Sequence, residues 1–203
     1  MLFDVDGVLI DSLSVHRKVW SQWARARDLD VETVWGATFG RRPEDTVASV
    51  APGLDGVQQR AYLDRLLERY EDEVVALPGA AVLLDGLGGL PWAIVTSGSR
   101  TVTINRFKRL GLPLPQVAVC GEDVQHGKPH PQGYLRASAE LGVPPSDCVV
   151  VEDAPAGIAA AHAAGCHVLA ITTTHHEAAC EQADEILADL VEVAAWIDRA
   201  CGR

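Results

Sequence analysis

The sequence predicts an α/β fold: a doubly wound, Rossmann-like parallel sheet interrupted after its first strand by an inserted helical cap. Three observations carry this. Short apolar runs recur, most of them continuous rather than alternating, as expected of parallel strands covered on both faces. From Trp92 onward each run is followed by a loop and a helical pattern, the β-α-β-α rhythm of a doubly wound sheet. From about Leu13 to Leu77 that rhythm fails, and the stretch reads as helices without a convincing strand run.

The expected strands, in order, are Leu2 to Val5, Trp92 to Val95, Val117 to Cys120, Cys148 to Val151, His167 to Ile171 and Glu185 to Leu187. The helices expected between them are Ala80 to Leu87, Thr101 to Leu110, Pro131 to Leu141, Ala156 to Ala164 and Leu190 to Ala200. Gly111, Gly142 and Gly165 stand where helix C-cap glycines are wanted. Within the insert, helices are expected over Leu13 to Arg27, Arg42 to Val50 and Val57 to Val75. The division that follows is a sheet-bearing core of residues 1–12 and 79–203 and a helical cap of residues 13–78. The Gly86-Leu87-Gly88-Gly89 stretch precedes a strand, so it is a turn and not a dinucleotide fingerprint.

A chain of 203 residues with 48% hydrophobic and 22% charged residues is ordinary globular composition, long enough for a sizeable core. The net charge of -11 repels phosphate backbones, which argues against a nucleic-acid partner. An anionic substrate then needs a local site, and a metal ion is an efficient way to build one. The five cysteines include no CxxC pair, three of them sit in small apolar runs as small hydrophobes, and the set reads as that of a reducing, cytoplasmic compartment. Asp4 follows the N-terminus too closely for a secretory signal, and no apolar run reaches bilayer length. No membrane partner is expected; a monomer or weak dimer is.

In open parallel sheets, ligands bind beyond the carboxyl ends of the strands. After the first strand come Asp4 and Asp6, with Gly7 allowing a sharp exit. After the second come Thr96, Ser97, Gly98 and Ser99, hydroxyl and amide donors that suit a phosphate at a helix start. After the third, Gly127 and Pro129 flank Lys128, and after the fourth stand Glu152 and Asp153. Carboxylates for a hard cation, donors for phosphate oxygens and one fixed ammonium make a set suited to magnesium-dependent phosphoryl transfer. Singly each member is commonplace, as a solvated turn, an N-cap or a surface lysine; their order at successive strand ends is not.

At these residues the chain resembles the haloacid dehalogenase superfamily over essentially its whole length. FDVDGVLIDS, AIVTSGS, GKPHPQGY and VVVEDAPAGIAAAHAAG are similar to its four motifs. The resemblance implies that Asp4 is the nucleophile and Asp6 the general acid/base. Thr96 would hold the phosphoryl group and Lys128 would neutralise charge. Asp153 would bind Mg2+ together with Asp4 and the Asp6 carbonyl, with Glu152 able to join the shell. Dehalogenases of the superfamily lack the second aspartate, so Asp6 favours phosphatase or phosphomutase chemistry. GRRPEDTVASVAP, LPGA and AGIAAAHAAGCHVLAITTTH look most like phosphatases of small sugar and polyol phosphates. The substrate expected is therefore a small phosphorylated metabolite. Relatives usually carry several residues before the first motif, whereas only Met1, Leu2 and Phe3 precede Asp4, so a short first strand is expected.

Cap residues are the less specific part. His16 and Trp20 resemble an HxxxW motif of β-phosphoglucomutase, which makes a mutase that passes the phosphoryl group to a sugar hydroxyl the rival reading. Arg41 and Arg42 could reach an anionic or hydroxylated substrate, or be an ordinary charged loop. Trp20, Trp23 and Trp35 are expected mainly as cap core, and His175-His176 as an exposed loop. A non-catalytic binding protein on the same fold is the third reading, disfavoured by the intact acid pair and lysine.

Overall fold

The computed structural model describes residues 1–202. Its strands are β1 (Leu2–Phe3), β2 (Ile10–Asp11), β3 (Val75–Ala76), β4 (Ala93–Val95), β5 (Val117–Val119), β6 (Val149–Glu152), β7 (His167–Ile171) and β8 (Glu185–Leu187). Six of them form one parallel sheet in the order β5-β4-β1-β6-β7-β8. Phe3 stands level with Ile94 on one side and Val151 on the other. Strand order therefore reverses at β1, which puts the crevice for a ligand beyond its carboxyl end.

The continuous apolar runs follow from this layering. Successive side chains on a strand point to opposite faces, and both faces here are covered. Phe3, Ile94, Val151 and Leu169 pack into one cluster with Leu84, Phe107 and Val193. Their neighbours Leu2, Ala93, Val150 and Val168 pack into another with Tyr134 and Ile158. The first face is thus roofed by α5 (Ala80–Gly86), α6 (Arg100–Leu110) and α9 (Leu190–Ala200), the second by α7 (Gln132–Leu141) and α8 (Pro155–Ala163). Four cysteines, Cys120, Cys148, Cys166 and Cys180, lie buried as free thiols, while Cys201 is exposed.

Between β2 and β3 lie α1 (Leu13–Arg25), α2 (Val31–Gly36), α3 (Pro43–Val50) and α4 (Gly56–Leu67). Two expectations for this region change. The helix expected to run to Val75 ends at Leu67, continues as a 3-10 turn over Glu68–Glu73, and gives way to β3. There is also a strand pair: β3 runs antiparallel to β2, joining the two ends of the helical segment. A pair of two-residue strands is too short for a periodic pattern to announce it. The short helix α2 went unexpected as well, although Asp30 caps it by accepting a hydrogen bond from the Thr33 amide at 2.8 Å. Val15, Val19, Trp23 and Leu63 of these helices are buried in the same apolar cluster as Val8, Leu9 and Leu84 below them.

Candidate active site

Asp4 continues β1 by one residue, its amide donating to Val151 O at 3.0 Å, and its side chain emerges buried at the strand end. Lys128 reaches it across the loop after β5: Nζ lies 2.6 Å from Asp4 Oδ1 and 2.6 Å from Glu152 Oε1. Burial pulls the pKa of this lysine down, but the two carboxylates outweigh it and raise it above the ordinary lysine value. The Lys128–Pro129 peptide is cis.

Glu152 is fully buried. Its Oε1 accepts from Lys128 and from the Tyr134 hydroxyl at 2.6 Å, and its Oε2 accepts from the amides of Asp153 at 3.0 Å and Ala154 at 3.3 Å. Four donors match the four acceptor positions of a carboxylate. Asp153 follows at the end of β6, where the Thr174 hydroxyl donates to it. Asp4, Glu152 and Asp153 offer carboxylate oxygens within 4.8 Å of one another.

Three buried carboxylates share one lysine, and the shortage of positive charge is felt. Burial raises the Asp4 carboxyl to about 7, with Lys128 opposing and Glu152 adding to the rise. Burial and then Glu152 push Asp153 well above the usual carboxylate range. Oxygen donors held together under such strain fit a hard divalent cation, which would lower both values.

On the other side of Asp4, Thr96 follows β4. Its Oγ1 accepts from the Gly98 amide at 3.0 Å. The Ser97 hydroxyl, expected to face phosphate, donates to Gly40 O at 2.9 Å and so ties the core to the cap loop. Asp4, Asp6, Thr96, Ser97, Gly98 and Asp153 line a single cavity.

The chain matches the family described as haloacid dehalogenase-like hydrolase over residues 1–165. It belongs to that family. It is 42% identical over 197 residues to hexitol phosphatase A of Escherichia coli, covering 95% of this chain and 91% of that one. It is 37% identical over 185 residues to glycerol-1-phosphate phosphohydrolase 2 of Saccharomyces cerevisiae, covering 85% and 74%. A solved hydrolase from Pseudomonas syringae, 24% identical, superposes with a TM-score of 0.87 over 98% of this chain and 96% of that one, which shows a common fold.

In this haloacid dehalogenase-like hydrolase, the cap supplies the far wall of the cavity: His16, Trp20, Trp35, Phe39, Arg41, Leu63 and Asp64. His16 Nε2 lies 3.6 Å from Asp6 Oδ1, and burial lowers the imidazole below its usual value. Arg41 is exposed at the cavity wall. Arg42, expected beside it, points elsewhere and does not line this cavity. Its guanidinium pairs with Asp45 at 2.7 and 2.8 Å and donates to the carbonyls of Val124 at 2.8 Å and Gln125 at 3.1 Å. The reason is local: Arg42 caps α3, where Asp45 one turn on captures it and aims it at the core loop. Trp23 is buried cap core, whereas Trp20 and Trp35 reach the cavity. His175 is not a free loop residue, for it packs edge-on against Phe39 with ring centroids 4.7 Å apart.

Sequence reasoning missed two charged residues of the cavity. Asp64, on α4, is half-buried, and burial raises its carboxyl against the pull of Arg60 and Ser99. Arg106, on α6, is 3% exposed and pairs with Asp6. Burial would raise the Asp6 carboxyl, but His16, Arg106 and the Ser12 hydroxyl outweigh it and bring its pKa down. Nothing in the spacing of α6 marks Arg106 apart from any other helical arginine.

Proposed function

We propose that this chain hydrolyses the phosphate monoester of a small polyol or sugar through an aspartyl-phosphate on Asp4. The observation that carries the reading is the Asp4–Lys128–Glu152 chain, two contacts of 2.6 Å that set the Asp4 carboxylate, our proposed nucleophile, beside an ammonium. Asp4 attacks phosphorus as Asp6 gives its proton to the departing alcohol. Water then attacks the aspartyl-phosphate, with Asp6 accepting its proton. Thr96 and Lys128 hold the phosphoryl oxygens. Glu152 keeps Lys128 in place rather than serving the metal. Asp4, Asp153 and the Asp6 carbonyl would hold Mg2+, which when bound would supply the positive charge that the phosphate needs in an acidic protein.

The leaving group is read from the cap wall. Trp20, Trp35 and Leu63 offer apolar faces, while Asp64, His16 and Arg41 offer partners for hydroxyls. The curated relatives are named for hexitol and glycerol phosphates, which fits a hydroxylated chain in such a pocket. The test is phosphate release from a panel of hexitol, glycerol and hexose monophosphates with Mg2+. Fastest turnover of a polyol or sugar monophosphate, lost in Asp4→Asn, is the expected result; release that survives Asp4→Asn overturns the nucleophile.

The nearness of His16 to Asp6 favours a second reading, a β-phosphoglucomutase-like transfer to a sugar hydroxyl. Conversion of β-glucose 1-phosphate to glucose 6-phosphate in the presence of a bisphosphate activator, without free phosphate, would establish it.

A further inference from the structure

Arg106 spans two carboxylates from within the core. Its Nε lies 3.0 and 3.1 Å from the two oxygens of Glu71, and its Nη2 lies 2.8 Å from Glu71 Oε1. Glu71 sits on the 3-10 turn that leads out of the helical segment toward β3. This forked pairing fixes the guanidinium plane. The nitrogen left over, Nη1, lies 3.0 Å from Asp6 Oδ1.

The same oxygen of Asp6 takes two further side-chain contacts. The Ser12 hydroxyl donates to Oδ1 at 2.5 Å, and His16 Nε2 stands 3.6 Å from it. Oδ2 faces the other way. A methyl placed on Gly98 would stand 3.8 Å from Asp6 Oδ2 and 3.3 Å from Thr96 Oγ1, so Oδ2 borders the Thr96 side of the cavity. The two oxygens of one carboxylate are thereby made unequal.

We propose that Arg106 is a positioning residue: braced by Glu71, it holds Asp6 by Oδ1 and leaves Oδ2 alone to exchange protons with the leaving alcohol and the attacking water. This rests on Asp6 being the acid/base of the reaction proposed above. In the first step the Asp4–phosphorus bond forms, the bond to the alcohol oxygen breaks, and that oxygen takes the proton from Oδ2. In the second step the water oxygen bonds to phosphorus, the Asp4–phosphorus bond breaks, and the water proton passes to Oδ2. A carboxylate free to swing would present either oxygen at a range of distances, and small misplacements of a proton donor are expensive in rate. An arginine buried only to tie α6 to the cap's return segment would need Glu71 but not Asp6.

The test compares kcat/KM for two substrates of opposite leaving-group demand. One is the hexitol monophosphate turned over fastest in the panel, whose alkoxide must be protonated as it leaves. The other is p-nitrophenyl phosphate, whose phenolate needs little help. Arg106→Lys and Glu71→Gln are expected to lower kcat/KM for the hexitol phosphate by about 10²-fold while changing the aryl phosphate little. Asp6→Asn is run beside them. If Asp6→Asn affects both substrates alike, the acid/base reading fails. If Asp6→Asn discriminates but Arg106→Lys and Glu71→Gln lower both substrates equally, or neither, the positioning role is overturned. Should Arg106→Lys not fold, Glu71→Gln decides, since it keeps the arginine and removes one charge of its brace.

Discussion

Glu152 and Gly157 illustrate how much a single position can decide. Any side chain at Gly157 would overlap the Glu152 carboxylate, so the first turn of α8 is bare where that buried group lies. Glu152 in turn accepts a hydrogen bond from Lys128, whose ammonium also donates to Asp4. Gly157→Ala should therefore cost about 1–3 kcal/mol in urea unfolding, as for other overpacked interiors, and should lower phosphate release by displacing Lys128. Unfolding and turnover equal to the parent would show that the contact relaxes freely. Gly7 has the same relation to Asp153, with a backbone φ of 87° that also favours glycine.

Among elements, α3 is held to the core by its N-cap residue. Arg42 crosses to the carbonyls of Val124 and Gln125, and the Ser97 hydroxyl returns the contact on Gly40. These bonds, with Arg60 reaching Ser97 O at 3.4 Å, seat the cap loop against the loops after β4 and β5. Arg42→Ala removes charge-assisted bonds and leaves core carbonyls without their donor. A loss of about 1–3 kcal/mol in unfolding is expected. The chemical step should survive, because the guanidinium does not line the cavity. A fall in kcat as deep as that of Asp4→Asn would place Arg42 in the reaction instead.

At the scale of the whole molecule, an acidic protein of net charge -11 concentrates buried carboxylates at one point. Asp4 has its pKa raised by folding to about 7 from an ordinary 3.8. A raised value means the folded state holds the proton more tightly than the unfolded chain. Asp4 then favours folding fully below about 4, and that contribution is lost as pH rises through about 7. In chelator, Asp4→Asn should therefore raise Tm at pH 8, and the gain should shrink as pH falls toward 4. Mg2+ should raise the parent Tm at pH 8 more than that of Asp153→Asn. A gain from Asp4→Asn that is independent of pH, or equal Mg2+ shifts in the two proteins, would contradict the charge shortage described for this site. Among the described residues, no helix is long and apolar enough to cross a membrane.

The sheet, its helices and the strand-end residues Asp4, Thr96, Lys128 and Asp153 were legible in sequence because they follow local rules. Continuous apolar runs report burial on both faces, and ligand groups follow strand ends. The β2–β3 pair and α2 were not legible, since two-residue strands and a six-residue helix carry too little period. Arg42, Asp64 and Arg106 were misjudged or missed for a different reason. Asp64 and Arg106 are ordinary charged helical residues whose neighbours in the cavity lie far along the chain, 100 positions away for Arg106 and Asp6, and Arg42 is an N-cap residue whose direction is set by Asp45 and by core carbonyls more than 80 positions away. By itself the sequence determined which groups stand at the strand ends, because the succession of apolar runs and the residue types that follow them suffice to place those groups. Only the tertiary structure decided which arginine faces the cavity and which oxygen of Asp6 is tethered, because those depend on how the cap seats on the core.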